Sequence, residues 1–584
     1  MKFPISPLPA LLVLPWLAAC GLPVREAPSV EDRQAVAVAA ETPPAESVVP
    51  VLPDVALTPG LLHRFLLAEI AGQRGLTGES VALYLELARE TRDPRIARRA
   101  TEIALHGRRP AEALAAARLW LEAEPGSPAA RQTFISLLAA NDRYDELGAV
   151  IAALLAVEPR HLGQNLAHLN RLFARARDRQ AVRRLVEQVT EPYLHQAEAH
   201  YARALVAHEM RDMPAALASI RRALELRPNW ETAALARAQL TEDRALAIEE
   251  LGRFAADHPH AREARLAHAR LLTAEKRYAE ARAAFRRLLE PVAPGEPPDG
   301  DIVFAVAVLS LQLEDRVEAE RLFKQLVASG YADVDKVRLH LGQIAAEGRR
   351  WDEAQHWFGK VGPGEHFLAA RLQAAAAYAR QGEMERARAL LAATRAAEPR
   401  LAPQLLLGEA QLLREQNRTV DAHALLAEAL KVQPDQPELL YETALLAEKL
   451  GRLDELERHL RRLIALQPDH AHAHNALGYS LADRNIRLDE ARALIARALE
   501  LAPNDPFILD SEGWVLYRLG DKQGALVHLQ RAYALRPDPE IAAHLGEVLW
   551  MLDRHDEARA VWEKARREHP ANDVLAETVK RFLP

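Results

Sequence analysis

The sequence contains a single cysteine, Cys20, in 584 residues. One thiol excludes an intrachain disulfide framework and any multi-cysteine metal site. Aromatic residues make up 5% of the chain against an apolar share of 49%, so most of the apolar content is Ala and Leu. Both residues lose little entropy in a helix. There is no basic block either. The 75 Lys and Arg are interleaved with 82 Asp and Glu, for a net charge of −7. That distribution argues against a nucleic-acid partner, whose phosphates demand a basic surface. It fits the solvated outer faces of helices. The chain also lacks a Gly-rich phosphate loop, a His-Glu-x-x-His zinc helix, a Gly-x-Ser-x-Gly elbow and a redox cysteine pair. No catalytic residue, cofactor or metal is therefore expected.

No apolar run is long enough to span a bilayer. The stretch Phe3 to Ala19 is short and broken by Pro4, Pro7, Pro9 and Pro15. It follows Lys2 and ends in small residues, which reads as a signal peptide over residues 1–19. Its end, Leu17-Ala18-Ala19-Cys20, resembles the bacterial lipobox. The resemblance implies cleavage before Cys20 and acylation of that residue. Several acyl chains on one residue give durable anchoring, at about 0.8 kcal/mol per buried methylene. Gly21 stands where an Asp would imply inner-membrane retention, so the resemblance implies the periplasmic face of the outer membrane in a Gram-negative cell. Residues 20–59 carry Pro23, Pro28, Pro43, Pro44, Pro50, Pro53 and Pro59. Proline fixes φ and removes donors, so this segment is expected to be a semi-flexible tether.

From Leu61 onward the pattern is helical and repeats. A small residue, then an aromatic or Leu, then Ala and finally Pro recur as Ala525, Leu529, Ala532 and Pro537, and again as Ala558, Trp562, Ala565 and Pro570. Ala491, Ala498 and Pro503 precede the first of these units by 34 residues. Projected backward, the first position falls on Leu456, Ala422, Ala387, Ala354, Ala319, Ala281, Ala247, Ala216, Ala181, Leu147 and Ala113, at intervals of 31 to 38 residues. Ala82 with Pro94 reads as one more, degenerate unit. The period and residue types resemble the tetratricopeptide repeat. Small residues let two helices approach, and Pro turns the chain into the next hairpin. The expected fold is all-α, a superhelical solenoid of about fourteen hairpins, because no hairpin buries its apolar face alone. Residues 60–400 are expected to hold divergent repeats, and 401–584 well-matched repeats with a C-terminal cap. The broadest irregular patch, Pro291 to Gly300, is too small for a catalytic domain.

Two groups of side chains stand out. His470 and His474 share a helix face with His472 nearby, a geometry open to a metal but equally to a hydrated turn. Gly478, Gly513 and Gly546 mark equivalent helices in three successive repeats. Positions one and four beyond them rotate away from the packing face, since each residue advances about 100°. They hold Tyr479, Trp514, Tyr517, Glu547 and Trp550. In the repeat family those positions line a concave groove, so the five residues are expected to be exposed protein-binding anchors. The other reading is that they pack between neighbouring helices.

Two stretches carry a more specific resemblance. One runs Leu66-Leu67-Ala68-Glu69-Ile70-Ala71-Gly72-Gln73-Arg74-Gly75, through Tyr84 and Leu87-Ala88-Arg89, to Thr91-Arg92-Asp93-Pro94 and Ala97-Arg98-Arg99-Ala100. The other comprises Asn475-Ala476-Leu477-Gly478-Tyr479, Asp510-Ser511-Glu512-Gly513-Trp514 and His544-Leu545-Gly546-Glu547-Val548-Leu549-Trp550. With the lipobox and tether, these are similar to a family of proteobacterial outer-membrane repeat lipoproteins. One member type is an adaptor that activates a periplasmic carboxyl-terminal-processing protease and brings it peptidoglycan hydrolases. The resemblance implies a lipid-anchored scaffold of this kind. An assembly factor for pili or exopolysaccharide export, pilotin-like, is the alternative, and an enzyme with an unrecognised site has little room.

Overall fold

A computed structural model describes residues 52–157, 162–167, 169, 173, 178–290 and 298–583. Cys20, the signal peptide and nearly all of the tether lie outside the described residues, as does most of the Pro291–Gly300 patch. Among the described residues there are 31 α-helices and no strands. Successive helices are short and antiparallel, joined by turns of a few residues, as a hairpin repeat requires. None is long and apolar enough to cross a membrane. The all-α hairpin-repeat architecture is the one the period predicts. The described chain divides into two compact units, one up to Asp315 and one from Arg316.

The repeat phrase acts through burial. Ala113, Leu147, Ala216, Ala247, Ala281, Ala319, Ala354, Ala387, Ala422, Leu456, Ala491, Ala525 and Ala558 are each 0% exposed. Two rungs differ. Ala181 is half-buried, and Ala82 is exposed while Val81, Tyr84, Leu85 and Ala88 of its helix, Thr77–Thr91, turn inward. Opposite the rungs lie glycines at which the helices touch. A β-carbon at Gly478 would come 2.6 Å from Ile495 and 2.9 Å from the Ala491 carbonyl; at Gly513 it would meet Leu529 at 2.6 Å and the Ala525 carbonyl at 3.0 Å. A methyl group does not fit there.

The turns follow a rule of their own. Arg108, Asp142, Arg211, Lys276, Glu314, Arg349, Gly382, Asn417, Gly451, Asn485, Gly520 and Asp553 all adopt positive φ. Each follows the first helix of its pair. The next residue donates its N–H back to the helix, as from Arg350 to the Ala345 carbonyl (2.8 Å), Arg452 to Ala447 (2.8 Å) and Asp521 to Leu516 (2.9 Å). This left-handed cap satisfies the orphan carbonyls of the helix end. Several helix starts are fixed by a polar cap before proline. Asp505 accepts from the Phe507 and Ile508 N–H groups ahead of Pro506, and Asp538 from Glu540 ahead of Pro539.

Inter-repeat ion pairs decorate the second helices. Glu457 receives Arg487 from the following repeat and Arg461 from its own helix, and this holds its carboxyl down at about 2. Glu320 is held likewise at about 2 by Arg350 and Lys324. These pairs are solvated and contribute little each. Glu409 differs: its side chain is 2% exposed and bonds Arg388 (3.0 Å) and Arg395 (2.5 Å). Replacing it with Leu leaves Arg395 without its acceptor and Arg388 with Glu385 alone (3.3 Å). We expect Glu409→Leu to destabilise the 316–583 unit by about 2 kcal/mol, below the value for a wholly buried pair because the arginines keep some hydration. Urea unfolding followed by circular dichroism measures it, and an unchanged midpoint contradicts it.

Candidate protein-binding site

Helices Pro437–Lys449, Ala471–Asp483, Pro506–Arg518 and Pro539–Trp550 are the first helices of four successive repeats. Their sequences are weakly amphipathic, and every residue from Ala473 to Ala482, from Ile508 to Leu516 and from Glu540 to Leu549 is buried. A helix buried all round normally carries apolar residues all round. These instead carry Asn475, Asp510, Glu512, Glu540, His544 and Glu547 among the buried positions.

The structure corrects the expected exposure of the five aromatic and acidic positions. Tyr479, Trp514 and Glu547 are 2%, 5% and 4% exposed, and Tyr517 and Trp550 are half-buried. The cause is contact with the next repeat. The Trp514 indole stacks on the His544 ring with centroids 4.1 Å apart, and the Arg518 guanidinium lies 5.5 Å from the centroid of the Trp514 ring. Tyr479 faces the same imidazole at 6.2 Å. Tyr517 donates to Glu547 (3.3 Å), and Arg581 of the terminal helix, Asp573–Phe582, donates to the other carboxylate oxygen (2.7 Å). Burial and the Glu547 charge push the Tyr517 hydroxyl up to about 12. Trp550 packs with Trp562 (5.9 Å) and Phe582 (6.0 Å), closing the C-terminal end of the array.

His470 and His474 close a turn. His470 caps its helix by accepting from the Ala473 N–H (3.1 Å), and the His474 Nε2 bonds the Pro468 carbonyl (2.9 Å). Among the described residues no group of three or more His, Cys, Asp or Glu is placed to hold a metal ion.

The residues that sequence reasoning passed over are polar. His544 Nδ1 bonds both oxygens of Asp510 at 3.0 Å, and Asp510 is 0% exposed. Asn475, one turn before Tyr479, is also 0% exposed, and neither its amide nitrogen nor its oxygen has a hydrogen-bond partner. The Trp514 Nε1 and one Glu512 oxygen are likewise buried without a partner. Such atoms cost about 1–3 kcal/mol each and call for an explanation. A signal existed in the sequence: Asn475 and Asp510 sit three residues before Gly478 and Gly513, where Gly342 and Gly408 are preceded by Leu339 and Leu405.

Carboxylates gather around Tyr479. Its hydroxyl is pushed well up by burial and by the charges of Asp483, Asp510, Glu540 and Glu448. Burial pushes Glu448 and Glu540 up to about 7, and the nearby carboxylates add to it. A carboxyl raised in the folded state keeps a proton that the unfolded chain releases, so stability is lost as pH rises through about 7. We expect thermal stability to increase from about pH 8 to about pH 5.5. The Glu448→Gln/Glu540→Gln double variant should flatten that slope and melt higher at pH 8. An unaltered slope contradicts these assignments.

Fold and site together define a helical-hairpin repeat scaffold of the protein-binding kind. Models of the tetratricopeptide repeat match residues 197–229, 233–297, 407–455, 457–506 and 511–573. The chain is 34% identical to the TPR repeat-containing protein PA4667 of Pseudomonas aeruginosa over 530 residues, 89% of this chain and 88% of that protein. It belongs to that tetratricopeptide-repeat family. A shorter likeness, 31% over 216 residues, joins it to the cellulose synthase 2 operon protein C of Komagataeibacter xylinus, covering 36% of this chain and 16% of that one. Among solved structures, yeast Tom70 aligns over 73% of this chain and 95% of its own, at 14% identity and a TM-score of 0.35.

Proposed function

We propose that the protein is a lipid-anchored scaffold on the periplasmic face of the outer membrane, bringing a carboxyl-terminal-processing protease together with peptidoglycan hydrolases. The observation that carries the scaffold part is architectural: the described chain is repeat hairpins from Pro59 to Phe582, with no separate block for a catalytic domain. Cys20 behind Leu17-Ala18-Ala19 supports the anchor, and residues 20–59 supply reach. Gathering two partners on one tethered array raises their effective concentration without new chemistry. The motif words of residues 66–100 and 475–550 support the protease role.

Reconstitution tests that role. Adding the purified chain to protease and hydrolase should speed cleavage of the hydrolase, whereas the chain alone should cleave nothing. No acceleration would overturn the protease part and leave the scaffold. A second reading, an assembly factor for polymer export, is favoured by the partial likeness to the cellulose synthase 2 operon protein C. Pull-down of export machinery in place of protease would select it.

A further inference from the structure

The two ends of the described array are finished differently. At the C-terminal end, helix Asp573–Phe582 turns Asp573, Ala576, Glu577, Lys580 and Arg581 outward. A terminal repeat needs such a polar outer face, because no further repeat covers it. At the N-terminal end, helix Pro59–Gln73 buries Leu61, Ala68 and Ala71 and turns a second apolar face outward. Leu62, Leu66 and Ile70 stand one turn apart along that face, with Phe65 and Leu67 on either side, and the five are 39–50% exposed. Leu57 before the helix and Leu76 after it are exposed as well. A helix apolar all round is normally covered all round.

Two further observations bear on what covers it. The first is charge. From Pro59 to Arg109 there are nine arginines and six carboxylates, a net +3 within a chain of net −7. The one carboxylate of the helix, Glu69, is taken by Arg99 (3.1 Å), whereas His63 stands exposed on the same side and Arg74 at the helix end. The second is position. This is the first described helix, and residues 21–58 join it directly to Cys20. An apolar stripe bordered by cations is how a helix lies in the interface of an anionic bilayer.

We propose that the outer face of Pro59–Gln73 lies on an anionic lipid surface, the bilayer that holds Cys20, and sets the first hairpin against it. Leu62, Leu66 and Ile70 enter the boundary between headgroups and acyl chains, and the surrounding arginines meet lipid phosphates. The tether makes this contact intramolecular, so a face of modest affinity is held down. The helix orients the array, and the acyl chains retain it. The inference rests on the lipid-anchor reading for which bilayer is met.

Vesicle co-sedimentation tests it, using the chain from Gly21 onward, which keeps every described residue and carries no lipid. It should pellet with vesicles of phosphatidylethanolamine and phosphatidylglycerol at lipid concentrations on the order of a millimolar. Phosphatidylcholine vesicles should bind less, and salt should weaken binding. Leu66→Gln/Ile70→Gln should weaken it roughly tenfold or more. Val527→Gln, at an exposed apolar residue of the other unit (64% exposed), should leave it unchanged. No sedimentation with the anionic vesicles, full binding by the double variant, or an equal loss at Val527 would each overturn the inference. Dimers abolished by the double variant, without vesicle binding, would give the face to a second copy and overturn it too. Circular dichroism of the variants separates lost binding from lost fold. So weak a contact does not replace the acyl chains in fractionation, so Cys20→Ser tests the anchor separately from the face.

Discussion

Gly513→Leu is expected to destabilise the 316–583 unit by about 3 kcal/mol, although leucine is by far the better helix former. The gain in helix propensity is about 1 kcal/mol. Against it stands the crossing of Pro506–Arg518 with Lys522–Leu535, where a β-carbon already meets Leu529 at 2.6 Å and the Ala525 carbonyl at 3.0 Å. The carbonyl belongs to a helix backbone and cannot yield as a side chain could, so the two helices must part. Parting them also unseats Trp514 from His544. Gly359 is the control: a β-carbon there meets nothing within 4 Å, so Gly359→Ala should change stability by less than about 1 kcal/mol. Repeat arrays unfold piecemeal, so hydrogen exchange of the helices flanking residue 513 should accompany urea unfolding. Wild-type protection in Gly513→Leu would contradict the close crossing.

The second large effect concerns the anchor. Cys20→Ser should move the protein from the membrane pellet to the soluble periplasmic fraction. One acyl chain gives only marginal binding, whereas several on one residue hold a protein durably, so their loss is close to all-or-none. No helix among the described residues offers a substitute span. Unchanged fractionation of Cys20→Ser would end the lipoprotein proposal.

Much of the fold was legible because the repeat writes the same packing rule many times. Ala422, Ala491 and Ala558 occupy one structural position, and an alanine at eleven of the thirteen fully buried rungs, with Leu147 and Leu456 at the other two, is visible without coordinates. Ala82 shows where this weakens: at the first pair the rule is followed loosely, and the helix turns Val81 and Leu85 inward instead. The left-handed turns are invisible in the sequence because Arg108, Lys276 and Glu314 share the positive-φ region with Gly382 and Gly451. The hairpin geometry imposes that conformation regardless of side chain. The site was half legible. Position relative to Gly478, Gly513 and Gly546 marks the first helices of three successive repeats. Exposure did not follow, because helical rotation places a side chain on a face without saying what the next repeat lays over it. Trp514 was read as an anchor on a surface, and it is a ring stacked on His544. In the sequence Asn475 and Asp510 are only letters of a recurring motif, and it takes the packing of the next repeat to make them buried polar groups.

The most direct test of the scaffold claim is co-purification from solubilised membranes through a C-terminal tag, with the captured proteins identified by mass spectrometry. The expected result is a carboxyl-terminal-processing protease and peptidoglycan hydrolases in stoichiometric amounts, both lost on truncation of the last four repeats. Recovery of the chain alone, in amounts that exclude a stable partner, would contradict it.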